Sequence, residues 1–169
     1  MARPASPPAT LRAASVADAG AIHAIYAPYV RDTAISFEID PPSVDEMAGR
    51  IERTLARYPY IVAEHEGRVL GYAYAGPLKD RAAYDAAVEA TVYVDGAAQR
   101  LGLGRLLYDE LLGLLRERGC HTAIGIIALP NEGSVALHER VGFRHVGTLR
   151  EVGWKFDRWH DCGWWQVML

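Results

Sequence analysis

Apolar and polar positions alternate along the chain with two different periods, and the switches between them divide it into elements. Thr10 to Ala14 reads as a short first strand. Ser15-Val16-Ala17-Asp18 then resembles a capping box, with an acid three residues after the cap. Ile22, Ile25, Tyr26 and Tyr29 recur at helical spacing, so a helix runs to about Val30. Thr33 to Glu38 is extended or looped up to Pro41-Pro42. Ser43-Val44-Asp45-Glu46 opens a second helix, which carries Met47, Ile51 and Leu55 on its apolar stripe and stops at Tyr58-Pro59.

The period then changes. Tyr60 to Glu64 and Val69 to Ala75 are strands joined by His65-Glu66-Gly67-Arg68, a hairpin turn. Gly76-Pro77 starts a loop with Lys79, Asp80, Arg81 and Tyr84. On the strand that follows, Val88, Ala90, Val92 and Val94 face one side, and Glu89, Thr91 and Tyr93 the other. Leu103 to Arg118 is the strongest helical pattern, with Leu103, Leu107, Leu111, Leu114 and Leu115 on its core face and Gly119 as its stop.

Ala123 to Leu129 is almost wholly apolar and β-branched, the mark of a central strand covered on both faces. Pro130 breaks it, and Asn131 caps a helix through His138 and Arg140 that ends at Gly142. Phe143 to Leu149 and Trp164 to Leu169 are the last strands. The aromatic and charged stretch Gly153 to Asp161 lies between them as a hairpin or wide loop. The order β-α-α-β-β-β-α-β-α-β-β predicts an α/β (α+β) protein with a central mixed, mostly antiparallel, twisted sheet and helices on both faces.

Composition narrows the class. The 169 residues suit one domain over residues 11–169, preceded by a Pro- and Ala-rich tail over 1–10 that lacks the apolar core of a signal peptide. A net charge of −3 gives no bulk attraction to nucleic acid or to an anionic membrane, and no run approaches the roughly 20 apolar residues of a membrane span. Two cysteines, Cys120 and Cys162, are too few for a disulfide scaffold and fit a reducing cytoplasm. No His, Cys, Asp or Glu spacing argues for a metal: in His138-Glu139 the second histidine of HExxH would fall at Gly142.

The chemistry concentrates in Val92-Tyr93-Val94-Asp95-Gly96-Ala97-Ala98-Gln99-Arg100-Leu101-Gly102-Leu103-Gly104-Arg105, a strand leading through a glycine-bearing turn into a helix. The first amides of a helix have no internal partners and its dipole is positive at that end, so the segment makes an anion cradle flanked by Arg100 and Arg105. It is not a P-loop, because Gly104 is followed by Arg105-Leu106. Nor is it a dinucleotide fingerprint, because Leu107 occupies the third small position. A bare GxG is also compatible with a ligand-free connection between strand and helix. Glu89, at the start of this strand, is a candidate general base, direct or through a water, because an unpaired carboxylate in a covered strand is costly. His138 is either a proton shuttle near neutral pH or a core histidine.

Gln99-Arg100-x-Gly-x-Gly resembles the acetyl-CoA signature of the GNAT superfamily of N-acetyltransferases. The resemblance implies acetyl-CoA as co-substrate, held by Val92, Tyr93 and Val94 on the strand, by Arg100, Leu101, Gly102, Leu103, Gly104 and Arg105 in the turn, and by Asn131 and Ser134 on the next helix. Many of these enzymes carry a tyrosine acid where His138 stands. Thr33 to Glu38, Gly71 to Pro77, Arg81 to Tyr84, Val88 to Val94, Leu129 to Glu139 and Gly153 to Asp161 together resemble the phosphinothricin N-acetyltransferases, whose near relatives act on methionine sulfoximine and methionine sulfone. That likeness runs from about Leu11 to the end. It implies a homodimer acetylating the α-amino group of such amino acids, with Glu89 as base and Phe37, Tyr74, Arg81, Tyr84, Thr91 and Tyr93 lining the acceptor pocket. Arg81 suits a carboxylate or phosphinate, since a guanidinium binds either bidentately. Two segments depart from the family pattern: Asp95-Gly96, where a proline is usual, and Cys162-Gly163-Trp164-Trp165-Gln166. An acetyltransferase for another amine or peptide N-terminus, and a non-catalytic acyl-CoA sensor, are the competing readings.

Overall fold

The computed structural model describes residues 9–169. The expected tail falls outside the described residues over 1–8, but Thr10 does not belong to it: it opens β1 and pairs with Glu64. The elements are β1 (Thr10–Ala13), α1 (Ala19–Asp32), α2 (Val44–Leu55), β2 (Tyr60–His65), β3 (Arg68–Pro77), β4 (Ala87–Val94), α3 (Leu103–Glu117), β5 (Thr122–Leu129), α4 (Glu132–Arg140), β6 (Arg144–Lys155) and β7 (Arg158–Met168). Short 3-10 turns stand at Val16–Asp18, Ala82–Tyr84 and Gly96–Ala98.

One sheet of seven strands runs in the order β1-β2-β3-β4-β5-β7-β6. Every neighbouring pair is antiparallel except β4 and β5, so the sheet is mixed and mostly antiparallel, as the element order implied. A core on each face holds the helices. On one, Leu103, Leu107, Leu111 and Leu115 of α3 pack on Val88, Ala90, Ala123 and Ile127. On the other, Ile22, Val30, Met47 and Ile51 of α1 and α2 pack on Tyr60, Val62 and Tyr72.

Local signals explain most boundaries. The Ser43 hydroxyl accepts from Glu46 N–H and the Glu46 carboxylate from Ser43 N–H at 3.1 and 2.7 Å, a complete capping box. Gly119 and Gly142 end α3 and α4 at φ +78° and +102°, conformations a side chain would strain. The β6–β7 hairpin is longer than the hydrophobic pattern implies. It closes through Phe156 and Asp157, both at positive φ (53° and 54°), without the Asn or Gly that usually marks such a turn. Register shifts between His145 and Gly147 and between Leu149 and Gly153 break the two-residue period, which hid the outer half of β6.

Candidate active site

The parallel pair β4–β5 places the site. Its register holds for three pairs, Ala87–Thr122, Val88–Ala123 and Glu89–Ile124, and beyond Glu89 no strand covers that edge of β4 among the described residues. A cleft of about 570 Å³ opens there between β4, β5 and the N-termini of α3 and α4. A larger hollow of about 840 Å³ runs beside α1 and shares only Tyr29 and Gln99 with the cleft. Of the charged groups on its wall, Arg12 pairs with Asp18 and Glu64, and Arg68 with Asp95.

Backbone groups line the cleft edge. Tyr108 Oη lies 3.3 Å from Ala90 O, and Tyr29 Oη donates to Val94 O at 2.5 Å. Both carbonyls face away from β3, so Val92, midway between them in a period of two, presents its own N–H and C=O to the opening. An extended ligand carrying amides would complete this edge as an added strand does.

The turn at the cleft mouth is rigid. The Asp95 carboxylate accepts from Ala97 N–H at 2.9 Å and from Arg68 at 2.5 Å. Gln99 donates to the Tyr29 hydroxyl at 2.9 Å, so its side chain ties the loop to α1. Arg100 and Gly102 both adopt left-handed backbone, at φ 65° and 84°. The first helical bond of α3 runs from Leu106 N–H to Gly102 O, which leaves the amides of Leu103, Gly104 and Arg105 without helical partners. Arg105 reaches only the exposed Asp109, at 3.3 Å, an ion pair that a phosphate displaces at little cost. Gly104 is needed for packing as well as for approach, since a Cβ there would fall 2.8 Å from Leu137 Cδ2. Donors, dipole and guanidinium groups thus fit a diphosphate, and the open β4 edge fits a pantetheine arm.

On α4, the Asn131 side chain accepts from Ser134 N–H at 3.1 Å and caps the helix, as expected. His138 is buried and sits on Gly125 of β5. Its Nδ1 is 2.8 Å from Ser134 O, which can only accept, so Nδ1 carries the proton and Nε2 accepts from Tyr108 Oη at 2.8 Å. Burial pushes the imidazole pKa down, against the pull of Ser134 O, so the ring is neutral near pH 7 and has no spare proton. The O–H on the cleft wall belongs to Tyr108, which sequence reasoning left inside an apolar helix stripe.

Glu89, Thr91 and Tyr93 share the face toward α1 and α2, as the alternation required. Tyr74 pairs with Thr91 across the sheet. Tyr93 packs on Tyr26 and Tyr29 at 5.1 and 5.0 Å. Glu89 is half-buried and has no side-chain hydrogen-bond partner among the described residues. Burial raises its pKa above the ordinary 4.5, with Lys79 pulling the other way. The remaining acceptor-pocket residues are not gathered against it. Phe37 rests on Gly153, while Arg81 and Tyr84 are exposed in the β3–β4 connection, where the Arg81 guanidinium has no partner among the described residues. No group of three or more His, Cys, Asp or Glu able to hold a metal occurs among the described residues.

A sheet opened at its one parallel pair, with an amide cradle at the mouth and a carboxylate at the root, defines a coenzyme-A-dependent acyltransferase. The chain matches the acetyltransferase (GNAT) domain model over residues 11–164 and belongs to that family. It is 45% identical over 159 residues to phosphinothricin N-acetyltransferase of Streptomyces viridochromogenes, covering 94% of this chain and 87% of that one. It is 36% identical to the L-methionine sulfoximine/L-methionine sulfone acetyltransferase of Salmonella typhimurium, over 95% and 94% of the two chains. The crystal structure of a phosphinothricin acetyltransferase from Sinorhizobium meliloti in complex with acetyl-CoA superposes with a TM-score of 0.92 at 38% identity, covering 95% and 88%.

Proposed function

We propose that this protein transfers the acetyl group of acetyl-CoA to the α-amino group of phosphinothricin-like amino acids: phosphinothricin, methionine sulfoximine and methionine sulfone. The observation that carries the reading is the half-buried, unpartnered Glu89 at the point where β4 and β5 part. An ammonium group is no nucleophile, so a base must take its proton, and a carboxylate of raised pKa suits that task. The names of the relatives support the acceptor class.

When bound, acetyl-CoA supplies an acyl group activated as a thioester. Leu103, Gly104 and Arg105 N–H, with Arg100 and Arg105, hold its diphosphate, Asn131 and Ser134 border the arm, and the Val92 backbone orients it. Glu89 accepts the ammonium proton, directly or through one water. Acyl transfer then frees a second proton at nitrogen and requires one at sulfur. Tyr108 turns its one hydroxyl proton from His138 Nε2 to sulfur and takes the proton from nitrogen, so no phenolate is left behind. His138 acts through Tyr108 by holding that hydroxyl in place. Arg81 pairs with the acceptor carboxylate or phosphinate, Tyr84 closes over it, and Phe37, Tyr74, Thr91 and Tyr93 wall the pocket.

The working form is a homodimer in the cytoplasm. Val146, Leu149, Val152 and Trp154 of β6, with Phe156 and Trp159 at the hairpin, are about half exposed on an uncovered edge, and a second copy is the occupant such a surface favours.

Thiol release from acetyl-CoA, measured with the three amino acids and a short peptide, tests the activity. Turnover with the amino acids and not the peptide is expected. Arg81→Ala should raise the acceptor KM and spare that of acetyl-CoA. Tight coenzyme binding without turnover of any acceptor would replace this reading with that of an acyl-CoA sensor.

A further inference from the structure

Lys155 ends β6 and is 4% exposed, an unusual place for an ammonium group. Its Nζ donates to Val30 O at 2.6 Å and to Ser36 O at 2.8 Å. Val30 lies in the last turn of α1, where carbonyls lack helical partners and the dipole favours a cation. Ser36 belongs to the loop between α1 and α2. One ammonium from near the end of the chain therefore caps α1 and grips the loop behind it. Burial lowers the Lys155 pKa and Glu38 opposes that shift.

Phe37 follows Ser36 directly. Its ring lies on Gly153, two residues before Lys155, where a Cβ would fall 2.4 Å from the ring. The hairpin thus supplies both the anchor and the seat. On the other side of Phe37, Glu38 is held by Arg50 through two contacts of 2.6 and 3.0 Å and accepts from Tyr26 Oη at 2.8 Å. Tyr26 Oη also bonds Ser36 Oγ at 2.8 Å, while its ring packs on Tyr93. Phe37 is fixed on both flanks, yet its own side chain is 36% exposed and free to meet an acceptor.

We infer that Lys155 is a positioning residue for acceptor selection: by holding the Ser36 carbonyl it sets Phe37 as a rigid wall and so limits which amino-acid side chains the acceptor pocket admits. The inference rests on the reading above that Phe37 lines the acceptor pocket.

The test uses the full chain with Lys155→Met, which keeps length and removes the donor, and Lys155→Arg, which keeps a cation. In Lys155→Met the KM for methionine sulfone should rise about tenfold while kcat and the KM for acetyl-CoA stay within about twofold. The preference for methionine sulfone over phenylalanine should fall, and Lys155→Arg should recover part of both losses. Hydrogen exchange at residues 33–39 should quicken in Lys155→Met, with α3 and β5 unchanged. Unaltered acceptor preference, or a fall in kcat with both KM values raised together, would overturn the role of Lys155 while wild-type turnover stands. A wild-type enzyme that ignores every amino acid would instead overturn the acceptor reading, and the selective role with it.

Discussion

Gly125→Ala is the sharpest probe of the cleft wall. Gly125 lies mid-strand in β5 and is not among the residues at positive φ, so alanine brings no backbone strain and would even gain a few tenths of a kcal/mol by restricting the unfolded chain. The obstacle is His138: a Cβ at 125 would stand 2.4 Å from its Cδ2 and 2.5 Å from its Nε2. Ordinary contact requires about 1 Å more. The ring cannot slide that far and keep its partners, because Nδ1 is held by Ser134 O and Nε2 by Tyr108, each at 2.8 Å. Two hydrogen bonds at about 1 kcal/mol each, plus overpacking of about 1–3 kcal/mol, less the alanine gain, predict a loss of roughly 2.5–4.5 kcal/mol. For a chain of this size that lowers Tm by about 5–15 °C. The released Tyr108 hydroxyl should cost kcat more than it changes the KM for acetyl-CoA. A double-mutant cycle isolates the cause: with His138→Ala already in place, Gly125→Ala should cost under about 1 kcal/mol. Thermal unfolding and thiol release read both quantities. An equal penalty in the two backgrounds, or no change in Tm, would refute the argument that His138 is seated on Gly125.

The acid limb of kcat/KM should lie above the ordinary glutamate value of 4.5, because burial raises the Glu89 pKa and a base must be ionised to act. Activity therefore falls as pH drops through the raised value; Glu89→Gln should remove that limb along with most turnover, and Lys79→Met should move it to higher pH by withdrawing the positive charge that opposes the shift. An acid limb unmoved by Lys79→Met would detach it from Glu89. Trp154→Glu with Trp159→Lys should turn a sedimenting dimer into a monomer at micromolar concentration, and a wild-type monomer under those conditions would remove the dimer proposal.

Much of the scaffold could be read from the sequence because local and global demands agree there. The capping box at Ser43, the two glycine stops and the alternation along β4 each have a physical cause within a few residues of chain. The amide cradle was legible for the same reason: Gly102 and Gly104 are adjacent to the helix they open. What was hidden depends on distant neighbours. Tyr108 occupies a core position on α3 that any apolar residue would satisfy, and only α4 folding over it turns the hydroxyl into a site group. Nothing in the apolar run Ala123 to Leu129 marks Gly125 as the seat of His138, which lies on a different element. Lys155 sat in an aromatic and charged stretch that read as a hairpin or wide loop, yet it is buried because α1 ends with unsatisfied carbonyls 125 residues away in the chain. Gln99 was assigned with the cradle, but its side chain serves the loop through Tyr29.

The position of the cleft follows from topology. An antiparallel neighbour can return through a tight turn and stay paired along its whole length, as β3 does with β4 over seven residue pairs. A parallel neighbour needs a crossover, here α3, and its register with β4 extends to only three pairs. The polar backbone left exposed on β4 must find partners. Tyr29 meets the Val94 carbonyl, Tyr108 Oη stands 3.3 Å from that of Ala90, and Val92 between them faces the opening. The crossover helix that causes the divergence also starts beside it, so its free amides stand at the mouth of the same opening. Glu89 is the last paired residue before the strands part. A carboxylate one position earlier would face the opposite side of the sheet, toward the α3 core, and one two positions later would replace Thr91, which pairs with Tyr74 of β3. The sheet therefore fixes one position at which a half-buried acid meets both the α1 and α2 face and the end of the open edge, and Glu89 occupies it.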